Sequence, residues 1–348
     1  MSFRLISQYR NSLMGFAILW IIVYHFYLVI QPIDQSVFPV RIGYGGVDIF
    51  LLLSGLGLYY SYTVGGGVSL KRFYYKRLIR VLPAFWIVVI VYDIITHNIG
   101  VATIFRMSTL GLWLPFVPYS YWYISAILVF YLFFPLYMHF YVKYKEKCLK
   151  VVFVLGVILT SLYTIMNHSD NYRNEVVFFL SRIPIFFIGV SLGRLSMENR
   201  RVSIKQMFRL AVGAIIAFVF LYYLFFIQDD YNRFFINNTA LDNYPFILIA
   251  PFICLFLPGL FHFSSLITKI MSFLGGISLE LYLIHLKIIY QFKDHLRADS
   301  GGESLYFLVL FIIACVLLAY GLNRIVSFIL DRIVNIIFRQ EKVAKNIK

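Results

Sequence analysis

The sequence predicts an all-α, polytopic membrane protein: one bundle of about ten transmembrane helices with both termini on the cytoplasmic side. Three observations predict it. The chain is 61% hydrophobic and only 14% charged, with a mean hydropathy of +0.81, whereas soluble domains average roughly 45–50% apolar and about 25% charged. Its apolar residues gather in runs that reach the ~18 residues a spanning helix needs. Its Lys and Arg residues fall mostly in alternate connections between those runs, the bias that sets orientation.

The runs lie near 11–31, 46–64, 78–97, 121–141, 149–167, 176–193, 210–227, 245–262, 271–291 and 304–323. The first carries a His, lacks a small-residue cleavage site and is too long for a signal-peptide core, so it is expected to remain as a helix. Gly65-Gly66-Gly67 ends the second, as three adjacent glycines break a helix. The third is expected to begin near Pro83, with the basic stretch Lys71, Arg72, Lys76, Arg77 and Arg80 before it. The run at 176–193 contains Arg182 and Pro184 and is the least regular. The connections are short, leaving room for a single transmembrane domain over 1–325. From 326 to 348 apolar and basic residues alternate, predicting a cytoplasmic amphipathic tail that continues the last helix and suits anionic membrane lipid.

With the N-terminus inside, the inner segments carry 23 of the 31 basic residues and the outer ones six, while the outer loops hold Asp229, Asp230, Asp242, Asp294, Asp299 and Glu303. The net charge of +15 is therefore orientation bias and not a nucleic-acid signal. Cys148, Cys254 and Cys315 have no metal-ligand spacing and read as small apolar residues. No metal site, phosphate-binding loop or dinucleotide fingerprint is expected.

Against this background the ionisable residues inside the runs are informative, because such groups are costly in hydrocarbon and often mark a site. His25 lies about six residues from the outer end of the first run, roughly 9 Å deep at 1.5 Å per residue. Asp48 lies about two residues inside the second run, which starts from the outer side. In an antiparallel hairpin both occupy the outer half. A carboxylate beside an imidazole either forms a structural hydrogen bond or orients a general base. Arg182 needs an internal partner, for which Glu280 is a candidate. Glu280 and His285 are five residues apart and point to different faces of one helix, and His285 is expected near the depth of His25. Trp122 and Tyr123 open the fourth run from the outer side, either as an interfacial aromatic belt or as the mouth of an acceptor site. Arg77 and Arg80 share a helix face; with Lys76 they serve positive-inside orientation, lipid headgroups or a phosphate-bearing ligand.

The series YHF, GVDIFLLLSG, KRLIRVLP, YWYIS, SRIPIFFIG and GGISLELYLIH, in this order, resembles the acyltransferase 3 family, bacterial membrane O-acyltransferases that modify cell-surface sugars. The similarity runs from about residue 8 to residue 325. It implies ten spans in the bacterial plasma membrane, an acyl-CoA co-substrate (acetyl-CoA first among candidates), a glycan or lipid-linked sugar acceptor, and a catalytic His at His25. Asp48 then orients His25. Lys76, Arg77 and Arg80 match the family's basic motif and would hold coenzyme A. Arg182, Glu280 and His285, with Trp122 and Tyr123, would border the central cavity. The family's common pattern has an Arg eleven residues before the His. Here that position is Met14, and Arg10, about 6 Å nearer the cytoplasm, is expected to take its role. The alternative expectation is a polysaccharide exporter without acyl-transfer chemistry, and a third is a non-catalytic membrane subunit.

Overall fold

The structure is a computed structural model. It describes residues 2–30, 38–64, 69–113, 121–166, 174–226, 241–298 and 304–346. Each of the ten predicted runs is helical. We label the main helices α1 (Arg10–Ile30), α2 (Gly46–Thr63), α3 (Leu70–Ile95), α4 (Trp122–Tyr144), α5 (Glu146–Met166), α6 (Asn174–Leu180), α7 (Ile183–Met197), α8 (Ile204–Phe226), α9 (Phe246–Phe263), α10 (Ser265–Gly276), α11 (Ser278–Ala298) and α12 (Ser304–Asn346). Short helices Arg4–Gln8, Phe38–Arg41 and Val101–Met107 and single 3-10 turns at Gly43–Gly45 and Leu110–Leu112 lie before or between them, and no strand occurs among the described residues. The Gly65–Gly67 break and Asp229, Asp230, Asp299 and Glu303 lie outside them.

Eight of these helical segments are long and apolar enough to cross a membrane, or nine when the bent pair α10–α11 is one span. The expected count of ten includes α2, which falls outside that set. The reason is its position. Gly46 through Leu56 of α2 are all buried, so protein surrounds them where lipid surrounds the peripheral α5. A helix enclosed by its neighbours tolerates Asp48, Ser54 and Ser61, which a lipid-facing helix would not.

Two boundaries differ from expectation. Helix α3 begins at Leu70, well before Pro83, which sits inside it. The Ser69 side chain caps it by accepting from the Arg72 N–H at 3.3 Å, and the Lys and Arg that follow are good helix formers outside the apolar layer. The basic residues therefore project from a helix rather than a loop. The ninth span bends by 74° between α10 and α11. At the bend the Ser278 hydroxyl donates to the Gly275 carbonyl at 2.9 Å, satisfying an acceptor that the break would otherwise orphan. The run around Arg182 is also interrupted, between α6 and α7. By contrast α12 continues unbroken to Asn346.

The N-terminus is pinned to the α7–α8 turn. Ser2 bridges Arg201, the Phe3 N–H donates to the Arg200 carbonyl at 3.1 Å, and the Ser2 hydroxyl donates to Asn199 at 3.0 Å. The N-terminus and the 194–209 connection thus share one end of the bundle.

Two glycine seams hold the centre. A Cβ on Gly55 of α2 would lie 2.2 Å from the Phe186 carbonyl oxygen, and one on Gly189 of α7 would lie 2.0 Å from that of Leu52. On the other side of α1, Gly15 and Gly275 put the backbones of α1 and α10 in the same proximity. Small residues allow this because helices in lipid associate by close packing. A methyl group at Gly189 forces α2 and α7 apart. Gly189→Ala is expected to destabilise the detergent-solubilised protein by about 1–3 kcal/mol, read as a lower thermal midpoint, whereas Gly259→Ala, with open space around its Cβ, should leave the midpoint unchanged.

Candidate active site

A cavity of about 220 Å³ opens between α1, α2, α3, α4 and α11. Three arginines meet in it: Arg10 from α1, and Arg77 and Arg80 from one face of α3. No acidic residue lines it among the described residues. The Arg10 guanidinium donates from Nε to the Leu53 carbonyl at 3.1 Å and lies against Gly57, where a Cβ would stand 3.1 Å from it. Arg77 lies over the Phe73 ring at 5.2 Å, and its buried Nε has no hydrogen-bond partner. None of the three forms an ion pair among the described residues. Three guanidinium groups without a carboxylate form a site for an oxyanion. Met14, in the position of the family's common Arg, lines the same cavity one turn from Arg10.

Lys76 is exposed and takes no part in this lining. It lies one turn before Arg80 and only about 40° around α3 from it, toward the start of the helix. The structure thus brings Arg77 and Arg80, but not Lys76, into the lining.

At its other side the cavity is bounded by Ser54, Tyr123 and Tyr282. The Tyr123 and Tyr282 rings are 5.1 Å apart, and Tyr282 stands 5.9 Å from the imidazole of His285. Tyr123 is thus inside the bundle, beside the arginine cavity, and not in an interfacial belt. Neither Tyr131, which also lines the cavity, nor Tyr282 was singled out from the sequence. The three-residue spacing of Tyr282 and His285, which puts both on one face of α11, was the signal that pointed to the second.

His25 does not pair with Asp48. Its Nδ1 lies 3.0 Å from the Ile21 carbonyl and 3.1 Å from Nε2 of His285, while Nδ1 of His285 lies 3.0 Å from the Leu281 carbonyl. Each Nδ1 faces a carbonyl oxygen, which only accepts, so each neutral ring carries its proton on Nδ1. Nε2 of His285 is then an acceptor beside the His25 Nδ1 proton, and Nε2 of His25 keeps a lone pair with no partner among the described residues. The contacts to His25 that were expected from Asp48 are made by His285 and the Ile21 carbonyl.

Asp48 instead accepts from Nε of Arg182 at 3.2 Å, and both side chains are at most 3% exposed. Arg182 also donates to the Phe178 carbonyl at 3.1 Å and lies 5.4 Å from the Trp122 ring. Trp122 therefore covers a buried cation. The expected partner Glu280 is elsewhere: it accepts from Asn323 at 2.9 Å. Asp48 wins Arg182 because α2 and α7 are in backbone contact across the glycine seam, which no helix intervenes to block.

The family model described as an acyltransferase domain, acyltransferase 3, matches residues 11–324. The chain belongs to this family. Curated relatives include proteins named "Putative O-acetyltransferase" from three strains of Staphylococcus aureus, COL, MSSA476 and MRSA252. Each is 28% identical over 320 residues, covering 80% of this chain and 50% of the relative. The chain thus spans about half the length of the curated relatives it matches. No solved structure matches it. The matched region includes Arg77 and Arg80 of the arginine cavity, the histidine pair and the Asp48–Arg182 pair, and begins one residue after Arg10.

A second carboxylate, Asp242, lies in the turn before α9, outside the spans; burial pushes it up to about 6 although Arg182 pulls the other way. Its Oδ1 has no partner. A raised acid favours the folded state when protonated, and that contribution fades as pH rises through about 6. Asp242→Asn should therefore melt higher than wild type at pH 7.5, with the difference shrinking as pH falls below 6 and gone only below the ordinary carboxylate value of 3.8. For the buried pair, Asp48→Ala leaves Arg182 uncompensated and is expected to cost about 3–5 kcal/mol. The double variant Asp48→Ala with Arg182→Leu should recover much of that loss in the same denaturation measurement.

Proposed function

We propose that this chain is a membrane O-acyltransferase. It moves an acyl group, acetyl first among candidates and succinyl second, from acyl-CoA on the cytoplasmic side of a bacterial plasma membrane. The acceptor is a hydroxyl of a cell-surface or exopolysaccharide sugar. The observation that carries this reading is one cavity with three guanidinium groups and no carboxylate, continued through Tyr123 and Tyr282 to a hydrogen-bonded histidine pair.

Coenzyme A bears a pyrophosphate and a ribose phosphate, and Arg10, Arg77 and Arg80 match that chemistry. The cavity is smaller than the roughly 300–1,000 Å³ that encloses a whole ligand of drug size, so it takes part of the donor while the remainder lies outside. Arg10 and His25 are fifteen residues apart on α1, about 22 Å along its axis. A donor whose phosphates rest on the arginines reaches His25 only through an elongated arm, as pantetheine is.

At the histidines, Nε2 of His25 takes the proton of the acceptor hydroxyl as its oxygen attacks the thioester carbon. The C–O bond forms, the C–S bond breaks, and the imidazolium returns its proton to the leaving thiolate. The positive charge on His25 is shared with the Ile21 carbonyl and Nε2 of His285, both acceptors toward Nδ1. With the N-terminus cytoplasmic, the arginine cavity faces the inner side and His25 the outer, so the acyl group crosses the membrane as it is transferred.

Membranes containing the protein should transfer label from [14C]acetyl-CoA to glycan. His25→Ala is expected to lower that transfer by about 10²–10⁴-fold, and retention of full activity would overturn the mechanism. Arg77→Ala and Arg80→Ala should raise KM for acyl-CoA more than they lower kcat. His285→Phe should do the opposite, lowering kcat with KM for acyl-CoA unchanged. A protein that exports glycan and transfers no label would instead be the exporter.

A further inference from the structure

A second cavity, about 210 Å³, lies at the far end of α3 and is lined by Tyr92, Asp93, Asn98, Arg106, Tyr121 and Lys287. Asp93 is buried and already neutralised: Arg106 donates to its Oδ2 from two nitrogens at 3.0 and 2.6 Å, and to the Asn98 carbonyl at 3.2 Å. Lys287 is the charge left over. Its Nζ stands 4.1 Å from the centre of the Tyr92 ring and 5.1 Å from that of Tyr121. Among the described residues no carboxylate lies within ion-pair distance of it. Ring faces stabilise an ammonium but accept none of its three protons as a strong hydrogen bond. Among the described residues the cavity therefore carries one net positive charge and offers N–H donors that no strong acceptor takes.

Its walls are held in place. Tyr121 has φ of 57°, an uncommon conformation for a bulky residue that persists only when surroundings enforce it. Here its buried hydroxyl donates to the Leu283 carbonyl at 2.8 Å. The Tyr121 ring is 6.4 Å from that of Tyr282, which in turn neighbours His285. Tyr121 thus links this cavity, through Tyr282, to the surroundings of the histidine pair.

We propose that this cavity is a subsite for an oxyanion, a carboxylate or phosphate ester, carried by the sugar acceptor, with Lys287 as the group that recognises it. The proposal rests on the O-acyltransferase reading and deepens it: the acceptor is acidic. Arg106 and Asp93 form a fixed neutral wall, and Lys287 supplies the charge that distinguishes an acidic sugar from a neutral one of the same shape.

The test is a binding measurement that needs no turnover. The full chain is placed in phosphatidylcholine nanodiscs, and its thermal midpoint is followed with D-glucuronate, glucose 1-phosphate or glucose at equal ionic strength. The sugar anions should raise the midpoint by roughly 2–4 °C at concentrations well above the dissociation constant, and glucose should not. Lys287→Met should lose the shift and Lys287→Arg should keep it. No shift with either anion, or one that survives in Lys287→Met, overturns the proposal. So does a Lys287-dependent shift produced by phosphatidylglycerol nanodiscs and by neither sugar anion, which would assign the cavity to a lipid headgroup. A Lys287-dependent shift in a protein that transfers no acetyl label would leave the anion site standing and remove the transferase reading alone.

Discussion

A charge within an apolar bundle must be neutralised, by a group on the chain or by a ligand, because the medium will not solvate it. The ionic groups on the spanning helices and in the cavities divide on that line. Asp48 with Arg182 and Asp93 with Arg106 are closed pairs, and Glu280 is held by Asn323. Arg10, Arg77, Arg80 and Lys287 have no ion-pair partner among the described residues. The closed pairs join helices; the unmatched cations line the two cavities. The assignment of structural and ligand-binding roles follows from this difference more than from any motif.

Packing makes such a division possible. Gly55 and Gly189 bring α2 and α7 so close that Asp48 and Arg182 meet at their outer ends, and Gly15 and Gly275 do the same for α1 and α10. With α1 held between these contacts, its two chemical groups, Arg10 and His25, are fixed on one rigid element about 22 Å apart. Both ends of the proposed reaction path are therefore set by a single helix. The bend between α10 and α11 then brings Tyr282 and His285 across to meet it.

The positions of the helices were legible in the sequence because hydropathy reports depth, and the ten runs correspond to the observed elements. Two of the three cavity arginines were legible from their spacing on α3, and Arg10 from its place one turn below Met14. Partner choice was not. His25 and Asp48 lie at similar depth, which suggested that they pair, but depth says nothing about rotation around each helix axis or the order of helices in the bundle. Those depend on which faces carry glycine and on how α11 turns after Gly276. The same gap explains Glu280, placed near Arg182 by depth and held by Asn323 in the fold. Lys76 was grouped with Arg77 and Arg80 by the basic motif; it shares their side of α3 but lies one turn outside the cavity lining, a depth that the motif does not report. Helix α2 falls short of a lipid-exposed span for a related reason: enclosure by protein relaxes the demand for apolarity, and a hydropathy profile cannot see enclosure.

The replacement of Asp48 by His285 beside His25 changes the electrostatics of the site. A carboxylate would hold an imidazolium strongly in a low-dielectric interior and leave it a poor donor when the leaving thiolate needs a proton. A neutral imidazole and a carbonyl hold it less tightly, while still fixing the tautomer through Nδ1. In the proposed reaction, the proton taken from the acceptor is then free to be returned within the same turnover. Asp48 meanwhile spends its charge on Arg182, behind Trp122, and keeps a second cation from the histidines' surroundings. On this arrangement the His25–His285 pair functions without a formal charge in its resting state, which an apolar bundle tolerates better than a buried ion triad.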